Sequence, residues 1–207
     1  MAELKVMHLV RHGEVMSPSC LLGSTNVGLT ELGRIKLVDA VERLVGPKTR
    51  IFSSPLNRCS LVANQVADNK TLKCDLVDEL KEYDFGCLDG VPFSKYSNTE
   101  EVMLASFWRD PVRGRIPDAE MMPDFQKRIH QCLMGIWDEI DGEGVVVTHG
   151  GVVRMVLNEV LNLGLDAYRS LLSLEIPYGS ITTIERFQQH DQSSYRVKRV
   201  GWTHEFN

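Results

Sequence analysis

The sequence predicts an α/β fold of three layers: a mainly parallel sheet with helices on both faces. Short apolar runs ending in glycine, serine or proline alternate with longer segments whose apolar residues recur at helical spacing. Repeated βα units of this kind build parallel sheets that are buried on both faces. In addition, three of the βα units place a cationic or imidazole side chain just beyond the strand: Arg11-His12, Arg58 and His149. Open parallel sheets bind ligands beyond the carboxyl ends of their strands.

The elements follow in order. Leu4 to Val10 reads as the first strand, and Thr30 as the N-cap of a helix over Leu32 to Val45. Arg50 to Phe52 is a short strand. Ser54-Pro55 then supplies an N-cap and a first-turn proline for the helix in "LNRCSLVANQVAD". Leu72 to Val77 reads as a further strand. From Glu79 to Pro123 regularity falls away except for a helical stretch from Asn98 to Trp108, which predicts an insertion over one end of the sheet. A helix from Met122 or Asp124 to Asp141 carries Phe125, Ile129, Leu133, Ile136 and Trp137 on one side. "GVVVTHGG" is a strand running into a turn, and Val152 to Leu161 is an apolar helix. "LLSLEIP", "SITTIERF" and "YRVKRVG" read as β. The whole chain, 1–207, is expected to be one domain, with about 83–123 as its lid.

Composition narrows the functions. A net charge of −5 provides no basic field for nucleic acid or an anionic membrane. The five cysteines form no Cys-x-x-Cys pair and lie at no zinc-site spacing with a histidine. Their scatter predicts a reducing, cytoplasmic setting. The N-terminus reads directly into a strand, with no signal peptide and no apolar stretch of membrane-spanning length. A homodimer is kept open beside the monomer.

The residues gathered at the strand ends suit a phosphoryl group. Arginine offers a planar fork of donors matched to phosphate oxygens, and helix N-termini near Pro55 and Gly151 add N–H groups and positive dipole ends. Of two histidines, one can act as a neutral nucleophile and the other as a donor to the oxyanion. A nucleophilic Nε2 needs Nδ1–H held by an acceptor, for which the Gly13 carbonyl is placed.

"LVRHGE", "LTELG", "SSPLNRCSLVA", "LKEYDFGCLDG" and "VVVTHGG" occur in an order that resembles the histidine phosphatase superfamily, the phosphoglycerate-mutase-like proteins, from residue 5 to about residue 187. The resemblance implies that His12 is the nucleophile that becomes phosphohistidine, that Glu82 is the proton donor to the leaving group, and that Arg11, Arg58 and His149 form the phosphate pocket. Gly150 and Ser24 are further candidates for substrate contact. The implied activity is a metal-independent phosphomonoesterase with a small-molecule substrate, using no metal and no cofactor. "VDELKEYDFGCLDG" and the chain length look most similar to α-ribazole-5′-phosphate phosphatases of cobalamin synthesis. A broad-specificity small-molecule phosphatase, a phosphoglycerate mutase and a non-catalytic phosphate-binding module stand as alternatives.

The chain departs from the family pattern at two places near the pocket. Pro18 stands where many relatives carry a phosphate-contacting asparagine, and Val15 replaces a common hydroxyl, with Ser17, Ser19 or Ser24 as candidate substitutes. In the box around Glu120, Ala119 and Met121 occupy the flanking places. His8 reads as a core histidine, and His130, His190 and His204 as surface groups. Cys59 reads as packing.

Overall fold

A computed structural model describes residues 3–17, 19–189 and 192–204. The expectations for Pro18 and His190 lie outside them. Among the described residues, six strands form one sheet: β1 (Glu3–Arg11), β2 (Arg50–Ser53), β3 (Cys74–Leu76), β4 (Glu143–Thr148), β5 (Ile181–Gln189) and β6 (Gln192–Trp202), in the order β3-β2-β4-β1-β5-β6. The first four run parallel, and β5 and β6 are added antiparallel.

Among the described residues the helices are α1 (Glu31–Glu42), α2 (Asn57–Lys70), α3 (Asn98–Arg109), α4 (Met122–Glu139), α5 (Gly150–Val160) and the single turn α6 (Tyr168–Leu171). Strand alternation explains how two layers of them are held. Val145 and Val147 face a cluster made with Leu37 and Val41 of α1 and Val62, Ala63 and Val66 of α2. Val146, one residue out of phase, faces the other cluster, with Phe125, Ile129, Leu133 and Trp137 of α4 and Val153 and Val156 of α5. Both faces of β4 are therefore dry, which is why its sequence is an unbroken valine run.

Caps set several boundaries. Thr30 accepts from the Gly33 N–H at 3.0 Å and starts α1. Ser97 and Glu100 form a reciprocal capping box on α3. The expected Ser54-Pro55 helix start is not observed: α2 begins at Asn57 behind Leu56, which makes no side-chain cap. Ser54 is fully buried, and its hydroxyl is engaged by His149 at 2.8 Å, so it serves the site rather than the helix.

"LLSLEIP" is not a strand. It winds from α6 through turns into the chain that leads to β5. Two arginines claim its carbonyls: Arg154 donates to Leu171 and Leu174, and Arg11 to Ile176. A strand here would point alternate carbonyls away from these donors.

The segment between β3 and α4 holds α3 and three single 3₁₀ turns, and it packs on the core through stacked rings. Tyr83 meets Phe85, Phe107 and Phe125 at centroid distances of 5.2, 5.4 and 5.5 Å.

Candidate active site

Register brings the site together. β2, β4 and β1 are neighbours, with Ser53 opposite Val147 and Arg11 opposite Thr148. The residues just beyond these strand ends, Ser54, His149 and His12, therefore stand side by side, and the His12 N–H bonds the Thr148 carbonyl at 2.9 Å. The two imidazole centroids are 5.2 Å apart. Because β5 runs the other way, its entry lies at this same edge: the Arg11 N–H bonds the Ser180 carbonyl at 3.0 Å.

His12 is 5% exposed, and its Nδ1 lies 2.8 Å from the Gly13 carbonyl. A carbonyl only accepts, so Nδ1 carries the proton and Nε2 keeps its lone pair. Gly13 cannot be replaced without strain, since a Cβ there would lie 2.1 Å from the Gly33 carbonyl oxygen. His149 is the opposite tautomer. Its Nδ1 accepts from the Arg58 Nε–H at 3.1 Å, so Nε2–H donates to the Ser54 hydroxyl. Cys59 packs beneath, with its sulfur 3.7 Å from Nε2 of the same ring, and burial pushes its thiol pKa far up.

Arg58 is fully buried. Besides His149, it donates to the carbonyls of Leu22, Gly23 and Thr25 at 3.0, 2.8 and 2.8 Å. The N–H groups of the same loop turn the other way: Gly23, Ser24 and Thr25 donate to Asp89 at 2.9, 2.8 and 2.9 Å. A cation and a carboxylate thus clamp one loop by its two sets of peptide dipoles. The structure brings Arg58 into the cluster through His149 and this loop. Ser24 is held only by its backbone and its side chain is exposed. Val15 is buried in a bridge with Leu29, and Ser17 is exposed.

Glu82 reaches the start of α5. Its carboxylate accepts from the Gly151 N–H and the Tyr83 N–H, both at 2.9 Å. A Cβ at Gly151 would sit 2.2 Å from Glu82 Oε1, so this approach requires glycine. Glu79 is exposed, and Asp84 closes its own turn on the Gly86 N–H, so neither competes for this place. Glu120 holds Arg128 with bonds of 2.6 and 2.8 Å, and Arg128 donates to the Lys81 and Glu82 carbonyls at 2.8 and 3.0 Å. That chain fixes the backbone beneath Glu82.

Arg11 stands beside Gly150: a Cβ on that glycine would lie 3.5 Å from its Nε. The Arg11 Nε–H is buried and makes no hydrogen bond. Arg11, Glu82, Gly150 and Gly151 line a cavity of about 110 Å³ together with Phe85, Phe107 and Trp108. Sequence reading did not assign Asp89, Ser54, Arg154 or Tyr178 to the site. Asp89 and Ser54 fall inside the boxes, but nothing in their spacing shows a partner 30 or more residues away.

Away from the site, His8 bonds Thr183 at 3.1 Å and exposed His130 pairs with Glu159 at 2.7 Å. Among the described residues, no group of three or more His, Cys, Asp or Glu is gathered as for a metal, and no helix is long and apolar enough to cross a membrane.

Burial, and next Arg58, holds the pKa of both His12 and His149 well below the ordinary 6.5. The sign for stability follows. Below 6.5 the unfolded chain takes up protons that the folded chain refuses, so stability is present above that pH and is lost as pH falls through it. Each histidine contributes a slope of up to about 1.4 kcal/mol per pH unit. Urea unfolding near pH 7.5 and about pH 5.5 is expected to show this loss, with a shallower slope in His12→Ala. Equal slopes in the two proteins would contradict the assignment.

Two histidines at neighbouring strand ends, a buried arginine and a carboxylate at the start of α5 thus meet at one end of the sheet, an arrangement that fits a phosphatase-type enzyme. The chain belongs to the histidine phosphatase superfamily (branch 1), whose family profile matches residues 7–201. It is 29% identical over 170 residues to "Probable phosphoglycerate mutase GpmB" of Yersinia pestis, covering 80% of this chain and 79% of that one. Its fold matches a mycobacterial glucosyl-3-phosphoglycerate phosphatase at 20% identity, with a TM-score of 0.78 over 96% of this chain and 99% of that one. It matches the α-ribazole phosphatase of Shigella flexneri at 17% identity, with a TM-score of 0.78 over 98% of this chain and all of the other (100%).

Proposed function

We propose that this chain is a phosphomonoesterase that works through a phosphohistidine at His12 Nε2. The observation that carries this is the Nδ1–H bond to Gly13, which leaves a neutral nucleophile in a buried pocket. In the first step the Nε2 lone pair attacks phosphorus. The N–P bond forms, the ester P–O bond breaks, and the leaving alkoxide takes a proton from the Glu82 carboxyl group. In the second step water attacks phosphorus, the N–P bond breaks, and the Glu82 carboxylate takes the water's proton. Inorganic phosphate leaves, and His12 returns to its neutral form.

Arg11, with a buried N–H to offer, and the N-terminal dipole end of α5 beside Gly150 supply fixed positive charge for the equatorial oxygens, without a metal. His149 donates Nε2–H to a phosphate oxygen once that N–H leaves Ser54. Arg58 adds charge through His149 and holds the loop that carries Ser24. In this reading the chain is one catalytic domain, with residues 83–123 as a lid. Its free cysteines suit a reducing cytoplasm.

The finer reading is α-ribazole 5′-phosphate in cobalamin biosynthesis. Its support is the aromatic lining that Phe85, Phe107 and Trp108 give the cavity next to Glu82, which suits a flat, apolar base. The kcat/KM for α-ribazole 5′-phosphate is expected to exceed that for sugar phosphates and phosphoglycerates by about 100-fold, the scale of one aromatic group gained in a pocket. A flat profile would replace this reading with a broad-specificity phosphatase. Faster isomerisation than hydrolysis of phosphoglycerate would replace it with a mutase. Glu82→Gln is expected to lower kcat about 10²- to 10³-fold on alkyl phosphomonoesters and far less on aryl esters, whose leaving groups need no proton. Equal losses on both would remove Glu82 as the acid.

A further inference from the structure

The entry to β5 carries an aromatic residue that no motif singles out. Tyr178 sits between Pro177 and Gly179, and the Gly179 N–H bonds the carbonyls of both Arg11 and His12 at 3.1 Å. Its side chain returns to the same two residues. The ring centroid is 4.0 Å from the Arg11 Cζ and 5.5 Å from the His12 ring centroid, tilted 43° from the imidazole plane.

Arg11 needs such a neighbour. Its Nη1 donates to the Ile176 carbonyl, and its Nε–H is buried without a partner, beside Gly150. One hydrogen bond leaves a long side chain free to pivot about that bond. An aromatic face at cation–π distance removes the pivot and holds the guanidinium flat. No carboxylate is hydrogen-bonded to this guanidinium among the described residues, although the Glu82 carboxyl group lines the same cavity and acts on it through space.

We infer that Tyr178 is a positioning residue. Its ring face holds the Arg11 guanidinium so that the buried Nε–H stays turned to the phosphoryl pocket, and its ring bounds the imidazole of His12. The inference rests on the phosphohistidine reading of the site. The ring does this work rather than the hydroxyl, and it acts through Arg11. Arg11 meets the equatorial oxygens in the bound ester as well as in the transition state, so loss of the ring weakens binding more than turnover.

The test uses Tyr178→Leu and Tyr178→Met, which keep apolar bulk without a ring face, with Tyr178→Phe as the conservative variant. Thermal unfolding identifies the variants that fold. In Leu or Met, KM and the inhibition constant of inorganic phosphate are expected to rise about tenfold, the scale of a desolvated cation–π contact, while kcat changes about threefold or less. Phe is expected to restore both constants. In an Arg11→Met background the Leu change is expected to add nothing, because the group it acts through is gone. Wild-type constants in Leu or Met, failure of Phe to restore them, or the same tenfold loss without Arg11 would each overturn the inference. If the Leu and Met variants both fail to fold, Phe with wild-type stability but a raised phosphate inhibition constant would also overturn it, and Phe with the wild-type constant would support it. Failure of the underlying reading shows separately, as full activity in His12→Ala.

Discussion

Replacing His12 with alanine is expected to lower kcat/KM by about 10⁴-fold or more, the scale of removing a covalent nucleophile. At about 1.4 kcal/mol per decade this is roughly 5.5 kcal/mol of transition-state stabilisation. His149, the other imidazole, has Nδ1 occupied by Arg58 and a proton on Nε2. Removing His12 also removes a group that resists protonation, so the variant is expected to unfold in urea at or near the wild-type midpoint at neutral pH and to be the more stable of the two in mild acid. Steady-state kinetics on a phosphomonoester panel, with urea unfolding as the control, checks both statements. Activity within tenfold of wild type would remove His12 from the chemistry.

Arg58→Met is expected to give the largest loss of stability, about 3 to 5 kcal/mol. The change keeps side-chain length and removes every donor. It leaves the buried Gly23 carbonyl and His149 Nδ1, and the part-buried carbonyls of Leu22 and Thr25, without these donors. A buried acceptor left unpaired costs about 1 to 3 kcal/mol, and relaxation of the loop recovers part of the sum. Asp89 would still hold the loop N–H groups, so the damage is local and the sheet survives. Equilibrium urea unfolding measures the loss. A change below about 1 kcal/mol would mean that water or another donor satisfies those carbonyls.

These two residues also mark how far the sequence could be read. The strands and the amphipathic helices were legible because each has its own period: Val145 to Val147 buried on both faces, and α4 with Phe125, Ile129, Leu133 and Ile136 on one side. The Gly13 acceptor for His12 was legible because the partner is the next residue. Long-range polar partners were not. Ser54 has the local chemistry of an N-cap, and only the sheet register that places it beside His149 overrides that preference. "LLSLEIP" has strand-like composition, and only the positions of Arg11 and Arg154 on other elements turn its carbonyls inward. Arg58 reads as a phosphate ligand by its type and place, yet most of its hydrogen-bond donors hold a loop more than 30 residues back in the chain. Tyr178 has no sequence signal, because its neighbours are brought to it by an antiparallel strand at the edge of a parallel set.

The most direct measurement is to mix the protein with a ³²P-labelled phosphomonoester, quench with alkali after milliseconds of turnover, and map the label by peptide analysis. Label on His12, stable in base and lost in acid, and absent from His12→Ala, is the predicted result. Product release with no label on His12 at any quench time, or label on another residue, would contradict the account.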